Sequence, residues 1–564
     1  MKYIHLYYTR RRASEIIENF ILTVYKNAEC NIKLNDCAFH QFPYRLEVGQ
    51  FSRLKWYTDK KYILILYGEV TNLEELAKSN CITVDSEFDV IILLFEKYGV
   101  SFFDRLNGRC ACILIDKFKH CVYICRDYIG SKALYYFESN NAFYITSHAR
   151  NLYNFSSVNR HYISKLLNDE RIYGTETIFN NVRAIPNGSI MLLINEKTTY
   201  FYKRKFDIPQ IRYNNKSDYY EHFRELIQKS LRKYSESNVA FTISGGLDCT
   251  LLAYLFTHVT QKQIQAYTFD LSPYGKSSEE FYISEIKNNP RINVNYVNLN
   301  NNFLENIINE RYDEPNHYIL TNAWSLMLKQ CKLAAVPSLV TGFGGDEITI
   351  GKRTEGANYV KNKEGADMSV INTVDYTSRS YLYGKYNERI NYYGAAASKN
   401  INKSYFAIYN RIFSGEIGRL VYRYEQDCFE QLGVNFILPF LEREIIDFSL
   451  GIPVDVHSTM NVTKKLQRKA GHNLMPKCIE ERMEKSDFFN WYIIELLRRR
   501  NLVEELISSS IVLSDGYGAS NISEIARNFY QIHNMSFDYK KEYAVKLLNF
   551  IAVELWLRGL KNGD

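Results

Sequence analysis

The sequence predicts an α/β protein in two parts: a strand-rich N-terminal half covered by helices, and a C-terminal half built on a doubly wound parallel sheet with a helical end. Three observations predict it. Apolar runs broken by turn residues fill the chain to about residue 205, strands alternate with helices from about residue 218, and a polar stretch from Pro209 to Ser217 separates the two patterns. The length of 564 residues suits several domains of roughly 100 to 200 residues each.

In the first half the strand candidates are Lys61 to Tyr67, Cys110 to Asp116, Val122 to Cys125, Ala133 to Phe137, Ala142 to Thr146 and Ser189 to Ile194. Leu73 to Lys78 and Phe88 to Tyr98 instead repeat apolar residues at three and four, the period of a helix laid on a sheet. Beyond the break the order is helix Asp218 to Tyr234, strand Val239 to Ile243, helix Cys249 to His258, strand Ile264 to Asp270, helix Glu279 to Lys287 and strand Val294 to Leu299. Such alternation requires crossover connections, which make the strands parallel and place a ligand site at their carboxyl ends. A helix from about Asn322 to Leu333 leads to a further strand, Ser338 to Thr341, which also ends in a glycine-rich turn. Gly351 to Lys403 is rich in Tyr, Asn, Gly and Lys without sustained periodicity and reads as an insertion or mobile loop, and from Ser404 the chain is mostly helical.

Composition narrows the function classes. Seventy Lys and Arg against 63 Asp and Glu leave a net charge of +7, a small excess that argues against a nucleic-acid partner. The longest compact apolar run, Val90 to Phe95, falls far short of the roughly 18 to 20 residues that span a bilayer, so no membrane partner is expected. Arg10 to Arg12 follow a short apolar stretch and precede Glu15 and Glu18, the wrong order for a secretory signal, which makes a cytoplasmic chain the expectation. The eleven cysteines form no disulfide framework, and Cys110, Cys112, Cys121 and Cys125 fall within apolar runs as small core side chains rather than zinc ligands.

Chemistry concentrates in two segments. Phe241 to Thr250 runs from a strand through Ser244, Gly245, Gly246, Leu247 and Asp248 into a helix that opens with Cys249. Glycines let the backbone approach an anion with successive N–H donors, and the helix N-terminus adds positive potential, so a pyrophosphate is a natural occupant. Ser244 can donate its hydroxyl to the same oxygens. Asp248 would repel bare phosphate and makes sense where magnesium bridges the two; alternatively it caps a plain strand-to-helix turn. The second segment, Thr341-Gly342-Phe343-Gly344-Gly345-Asp346-Glu347, follows its own apolar strand and again ends small residues with an acid. Two such turns suggest one shared magnesium site.

The order and strand contexts of these turns resemble the asparagine synthetase family, which includes beta-lactam synthetases and lasso peptide cyclases. The resemblance implies that Asp248 and Asp346 hold Mg2+ on the phosphates of ATP, and that Ser244 to Cys249, with Gly342, Gly344 and Gly345, form the nucleotide cradle; family members usually carry serine at the position of Cys249. Pro439-Phe440-Leu441-Glu442 is similar to the family's Pro-Phe-Leu-Asp element with a longer acid. Lys464 to Ala470 matches its lysine helix, which makes Lys464 the catalytic candidate and Arg468 and Arg482 candidates for anion contacts. Asp313-Glu314-Pro315 resembles another element near the family's active site, although a helix entry explains it equally well.

The N-terminal half is similar to class II glutamine amidotransferases through Tyr67 to Asn72, Leu106 to Gly108, Asp116, Arg126 to Gly130 and Pro186 to Gly188. That resemblance implies an Ntn-type αββα sandwich over residues 1–208, ahead of a synthetase domain over 218–564. Glutamine hydrolysis in that fold uses a cysteine directly after the initiator methionine as nucleophile, and here the second residue is Lys2, so the expectation is a structural domain without glutaminase activity. Arg126 and Asp127 are then remnants or scaffold contacts rather than a glutamine clamp.

Phe343 separates the subfamilies, because asparagine synthetases usually have glutamate and beta-lactam synthetases tyrosine between the two glycines. The implied activity is an ATP-dependent, AMP-forming amide ligase acting on a carboxylate-bearing substrate, with macrolactam closure of a peptide preferred and a leader-processing or carrier protein as partner. Ammonia-dependent asparagine synthesis, a beta-lactam synthetase-like ligase and an RNA-modifying ATP-pyrophosphatase are the alternatives.

Overall fold

The structure, a computed structural model, describes residues 4–9, 44–48, 54–84, 86–138, 142–170, 172, 174–194, 198–203, 210–275, 279–299, 313–315, 318–349, 412, 416–457, 462–483, 489–531 and 537–561. The insertion expected over 351–403 and the position of Lys2 lie outside the described residues.

Alternation of side chains builds the N-terminal half. Strands β1 (Ile4–Thr9), β2 (Tyr44–Val48), β3 (Leu54–Thr58), β4 (Tyr62–Val70), β5 (Gly108–Asp116), β6 (Cys121–Arg126), β7 (Tyr135–Glu138), β8 (Ala142–Thr146), β9 (Val182–Ala184), β10 (Ser189–Ile194) and β11 (Thr198–Lys203) form two antiparallel sheets. Their orders are β2-β1-β8-β7-β9 and β11-β10-β6-β5-β4-β3. In β4, Ile63, Ile65 and Tyr67 face one way and join Ile113, Ile124, Phe143 and Ile145 in a core between the sheets. Tyr62, Leu64 and Leu66 face the other way, toward Leu76, Ile91, Leu94 and Phe95 of helices Leu73–Ser79 and Glu87–Tyr98. A period of two with both faces buried explains why these strands read as continuous apolar runs.

Cys110, Cys112, Cys121 and Cys125 all lie on this helix-covered face, and burial pushes the Cys112 and Cys121 thiols up in pKa. The outer face of the first sheet presents Tyr135 and Tyr144 to helix Arg160–Leu167 and to the long C-terminal helix Phe537–Lys561, which contributes Leu547, Phe550 and Trp556. The result is four layers, helix on sheet on sheet on helix, with the last layer partly supplied by the far end of the chain.

The C-terminal half holds a parallel sheet of β12 (Val239–Thr242), β13 (Ile264–Asp270), β14 (Ile292–Asn298), β15 (Ser338–Val340) and β16 (Asn435–Ile437). Its order is β14-β13-β12-β15-β16. The chain leaves β12 to one side for β13 and β14, then returns to pair β15 against the other side of β12. That reversal is a topological switch point, and it sets the turns after β12 and β15 next to each other at the carboxyl edge. Helix Leu247–Thr260 buries Leu251, Leu252 and Leu255 in the core it shares with Phe241, Leu339 and Phe436. Among the described residues no helix is long and apolar enough to cross a membrane.

Buried charge joins the halves. Lys132, 1% exposed, lies 2.9 Å from both Glu425 and Glu430, and Tyr67 donates its hydroxyl to Glu430 at 3.1 Å. Asp313 accepts from the backbone N–H of Ala149 at 3.0 Å and from the Tyr422 hydroxyl at 2.5 Å, while Glu314 accepts from Tyr162 at 2.7 Å and from Arg423. The Asp313-Glu314-Pro315 element is therefore a joint between domains. Arg126 donates to the carbonyls of Gly130, Lys132 and Ile185, and Asp127 accepts from the backbone of Gly130, Ser131 and Lys132. These two residues hold the loop that carries Lys132.

Candidate functional site

The first turn leaves β12 through Ile243, whose N–H still bonds Tyr267, and exposes Ser244 at the sheet edge. Gly245 has φ +63 in the left-handed region, and its carbonyl accepts from Arg482 at 2.7 Å. Arg482 in turn lies over the Tyr282 ring at 4.1 Å, packed rather than free-standing. Gly246 is the N-cap of helix Leu247–Thr260 and supplies no side-chain cap, so the turn ends on the electropositive end of a helix. The helix begins two residues earlier than its apolar period suggested. Asp248 consequently sits in its first turn and does not cap it.

The second turn, after β15, reaches the first at backbone distance. A Cβ at Gly342 would lie 2.7 Å from the Cys249 nitrogen, and one at Gly345 would lie 2.6 Å from Asp248 Cγ. Only glycine permits this approach. Gly344, at φ +95, turns over Leu441 of the Pro439–Leu441 element, which backs the turn. Glu442 points elsewhere, to Ser230 at 2.7 Å and Lys233 at 2.6 Å. Cys249 lies beside Gly342 with its thiol 3.3 Å from the Thr242 hydroxyl. Phe343 is half-buried, its ring against Tyr424 at 6.0 Å and Phe436 at 6.4 Å.

Lys464 closes the arrangement. It bonds Asp248 and lies 2.7 Å from Asp346, with side-chain exposures of 12%, 16% and 39% for Lys464, Asp248 and Asp346. Burial works against its charge, yet the two carboxylates outweigh burial and hold the ammonium pKa above the usual lysine value. The residue takes φ +52, a left-handed conformation costing a non-glycine of order 1 kcal/mol, immediately before helix Lys465–Ala470. Arg468 on that helix donates to the carbonyls of Thr463 at 2.7 Å, Glu480, and Arg482 at 2.8 Å. Those three bonds make Arg468 a tie between segments and use three of the five N–H donors of its guanidinium.

Two site residues were not singled out by sequence reasoning. Gln467, three positions after Lys464, donates to Asp248 and to the Gly345 carbonyl. Glu347 is pushed up to about 7 by burial, with Asp346 and Asp248 adding and Lys464 opposing. The helical spacing of Gln467 from Lys464 was a usable signal for the first; nothing local pointed to the second.

The residues present suit a magnesium–nucleotide site. Two carboxylates from adjacent turns converge on one cation position, oxygen donors of the kind magnesium takes with phosphate and water completing its shell. Glycines at 342 and 345 leave room for the Asp248 and Cys249 side chains between the turns, and the buried Gln467 Oε1 has no partner among the described residues.

The Asparagine synthase family profile matches residues 222–558, and the Glutamine amidotransferase domain profile matches residues 55–206. Asparagine synthetase (glutamine-hydrolyzing) 2 of Bacillus subtilis is 28% identical over 217 residues, covering 35% of this chain and 29% of that protein. A putative asparagine synthetase (glutamine-hydrolyzing) 2 of Methanocaldococcus jannaschii is 24% identical over 317 residues, covering 52% of this chain and 60% of that protein. The chain thus spans from under a third to three-fifths of the length of these curated relatives. Among solved structures, the glutamine phosphoribosylpyrophosphate amidotransferase of B. subtilis aligns with a TM-score of 0.26 and 10% identity, over 60% of this chain and 81% of that one.

Proposed function

This chain belongs to the asparagine synthase family, and from that premise we propose that it is an ATP-dependent amide ligase that activates a carboxylate as an acyl adenylate and passes the acyl group to an amine. One observation carries the reading: Asp248, Asp346 and Lys464, from three separated stretches of sequence, meet at the switch point of a parallel sheet.

The substrate carboxylate attacks the α-phosphorus of ATP, pyrophosphate leaves, and the amine then attacks the acyl carbon and expels AMP. The turn from Ser244 to Cys249, with Gly342, Gly344 and Gly345, receives the phosphates on backbone N–H groups and a helix N-terminus. Asp248 and Asp346 would hold magnesium, which supplies charge neutralisation on the phosphates when bound. Lys464 is the catalytic cation, since negative charge grows on phosphoryl oxygens in the first step and on the tetrahedral oxyanion in the second. Arg468 keeps helix Lys465–Ala470 fastened to residues 480–482, and Arg482 fastens that segment to Gly245. The amidotransferase-like domain serves as a brace through its buried contacts from Lys132, Tyr67 and Tyr162.

Macrolactam closure of a precursor peptide is our preferred subtype. Phe343 supports it: an apolar ring in an aromatic wall offers no group to take a proton or pair with an ammonium at that place. A leader-processing or carrier protein would then be the partner. Asparagine synthesis is the second reading, favoured by the activity printed for the curated relatives. The deciding experiment is pyrophosphate release from magnesium ATP against a panel of carboxylates that includes aspartate and candidate peptides. Release triggered by aspartate selects the second reading, and failure of calorimetry to detect any nucleotide uptake rejects both.

A further inference from the structure

Gln467 bonds one carboxylate of the pair and the turn that carries the other, and no step above uses it. Its side chain is fully buried between the core residues Leu466 and Ala470 of the same helix. Nε2 donates to Asp248 Oδ1 at 3.1 Å and to the carbonyl oxygen of Gly345 at 2.8 Å. An ionised carboxylate and a carbonyl only accept, so the amide has to present its NH2 to them; the flipped amide would set oxygen against two oxygens. The same constraint turns Oε1 away, and among the described residues this buried oxygen has no donor. A leucine would fill the position without that standing penalty.

We propose that Gln467 is a positioning residue that locks the two acid-tipped turns in register. One amide ties the carboxylate of Asp248, on the first turn, to the main chain of Gly345, the residue before Asp346 on the second. Lys464 joins the same turns through charge, which tolerates sliding; Gln467 joins them through two directed bonds, which do not. The aim of Asp248 thus survives when Lys464 moves to a substrate oxygen. Oε1 is left as an acceptor for a donor arriving with the ligand. The inference rests on the magnesium–nucleotide reading of this site.

The test uses the full-length protein, Mg2+ and α,β-methylene-ATP. Gln467→Leu keeps length and burial and removes the bridge; Gln467→Glu keeps the shape but opposes acceptor to acceptor. Isothermal titration should show both variants binding the magnesium nucleotide at least about tenfold more weakly than wild type. Removal of the orphan oxygen offsets part of the cost of the two lost bonds, so unliganded Gln467→Leu should stay folded with a wild-type circular dichroism spectrum, and a merely structural glutamine would not separate affinity from folding in this way. Wild-type affinity in Gln467→Leu overturns the bridge alone, as does a loss of affinity accompanied by a changed circular dichroism spectrum. Absence of binding in wild type overturns the site reading and the bridge with it, so the two failures are distinguishable.

Discussion

Lys464→Met removes one charge and keeps the aliphatic stem, and its consequences follow from the exposures of the three partners. Breaking a fully buried ion pair costs about 3–5 kcal/mol, whereas an exposed pair contributes about 0–1 kcal/mol. Asp248, at 16% exposed, belongs near the first limit and Asp346, at 39%, near the second. Gln467 still donates to Asp248 in the variant, so we expect a net loss of about 2 kcal/mol. Because the lysine pKa lies above its ordinary value of 10.5, the stabilisation is complete below that value and is lost only as pH climbs past it. Lys464 also holds down the Glu347 carboxyl, so the stability difference should widen as pH rises through about 7.

Catalysis should suffer more. Loss of a preorganised charge donor to the transition state costs about 3–4 kcal/mol, or roughly 100- to 1,000-fold in turnover. The two effects separate with magnesium, which can neutralise Asp248 and Asp346 and recover the thermal midpoint but cannot replace a cation aimed at the reacting oxygens. Pyrophosphate release and thermal unfolding with and without millimolar Mg2+ measure both. Turnover within about tenfold of wild type, or a midpoint that magnesium leaves unchanged, would refute the assignment.

Three further expectations follow. Gly345→Ala places a methyl 2.6 Å from Asp248 Cγ, so nucleotide affinity should collapse while the fold persists; titration calorimetry beside circular dichroism decides it, and normal affinity would mean that the turns are not in contact. Glu347 titrates near 7 in the fold against an ordinary 4.5, so its contribution to stability is complete below the lower value and disappears as pH rises through the higher one. Glu347→Gln should remove that slope and stabilise the protein by up to about 2 kcal/mol at pH 8, with urea titrations at pH 5 and 8 as the check and parallel pH profiles as the contrary result. Lys132→Met removes the cation shared by two glutamates at the domain joint, Glu425 keeping Arg109 at 3.3 Å and Glu430 the Tyr67 hydroxyl at 3.1 Å, and should cost about 3 kcal/mol in denaturant, part of it recovered when Glu430→Gln is added; no recovery would place the loss elsewhere.

Much of the architecture was legible because the signals were local. Strands Ala142–Thr146, Ser189–Ile194 and Ile264–Asp270 and helix Glu279–Lys287 lie where the apolar period put them. Strands β1, β2, β3, β9, β11 and β16 were not foreseen. β9 and β16 are three residues long and exist because longer neighbours pair with them, a condition that a short window of sequence does not contain. Asp313 and Glu314 look like a helix entry in sequence, since their partners Ala149, Tyr162, Tyr422 and Arg423 are all more than a hundred residues away.

By itself the sequence determined the kinds of groups available: two glycine turns tipped with acids and a lysine before a helix, each written within about ten consecutive residues, and a parallel α/β order, written in the alternation of apolar periods from residue 218 to 299. Only the tertiary structure decided how those groups meet. The reversal of strand order at β12 and β15 brings residues 248 and 346 together, and the path through residues 462–470 delivers Lys464 and Gln467 to them. The three carbonyls that Arg468 ties together, those of Thr463, Glu480 and Arg482, are likewise supplied by packing, because a guanidinium takes whichever acceptors the fold places around it.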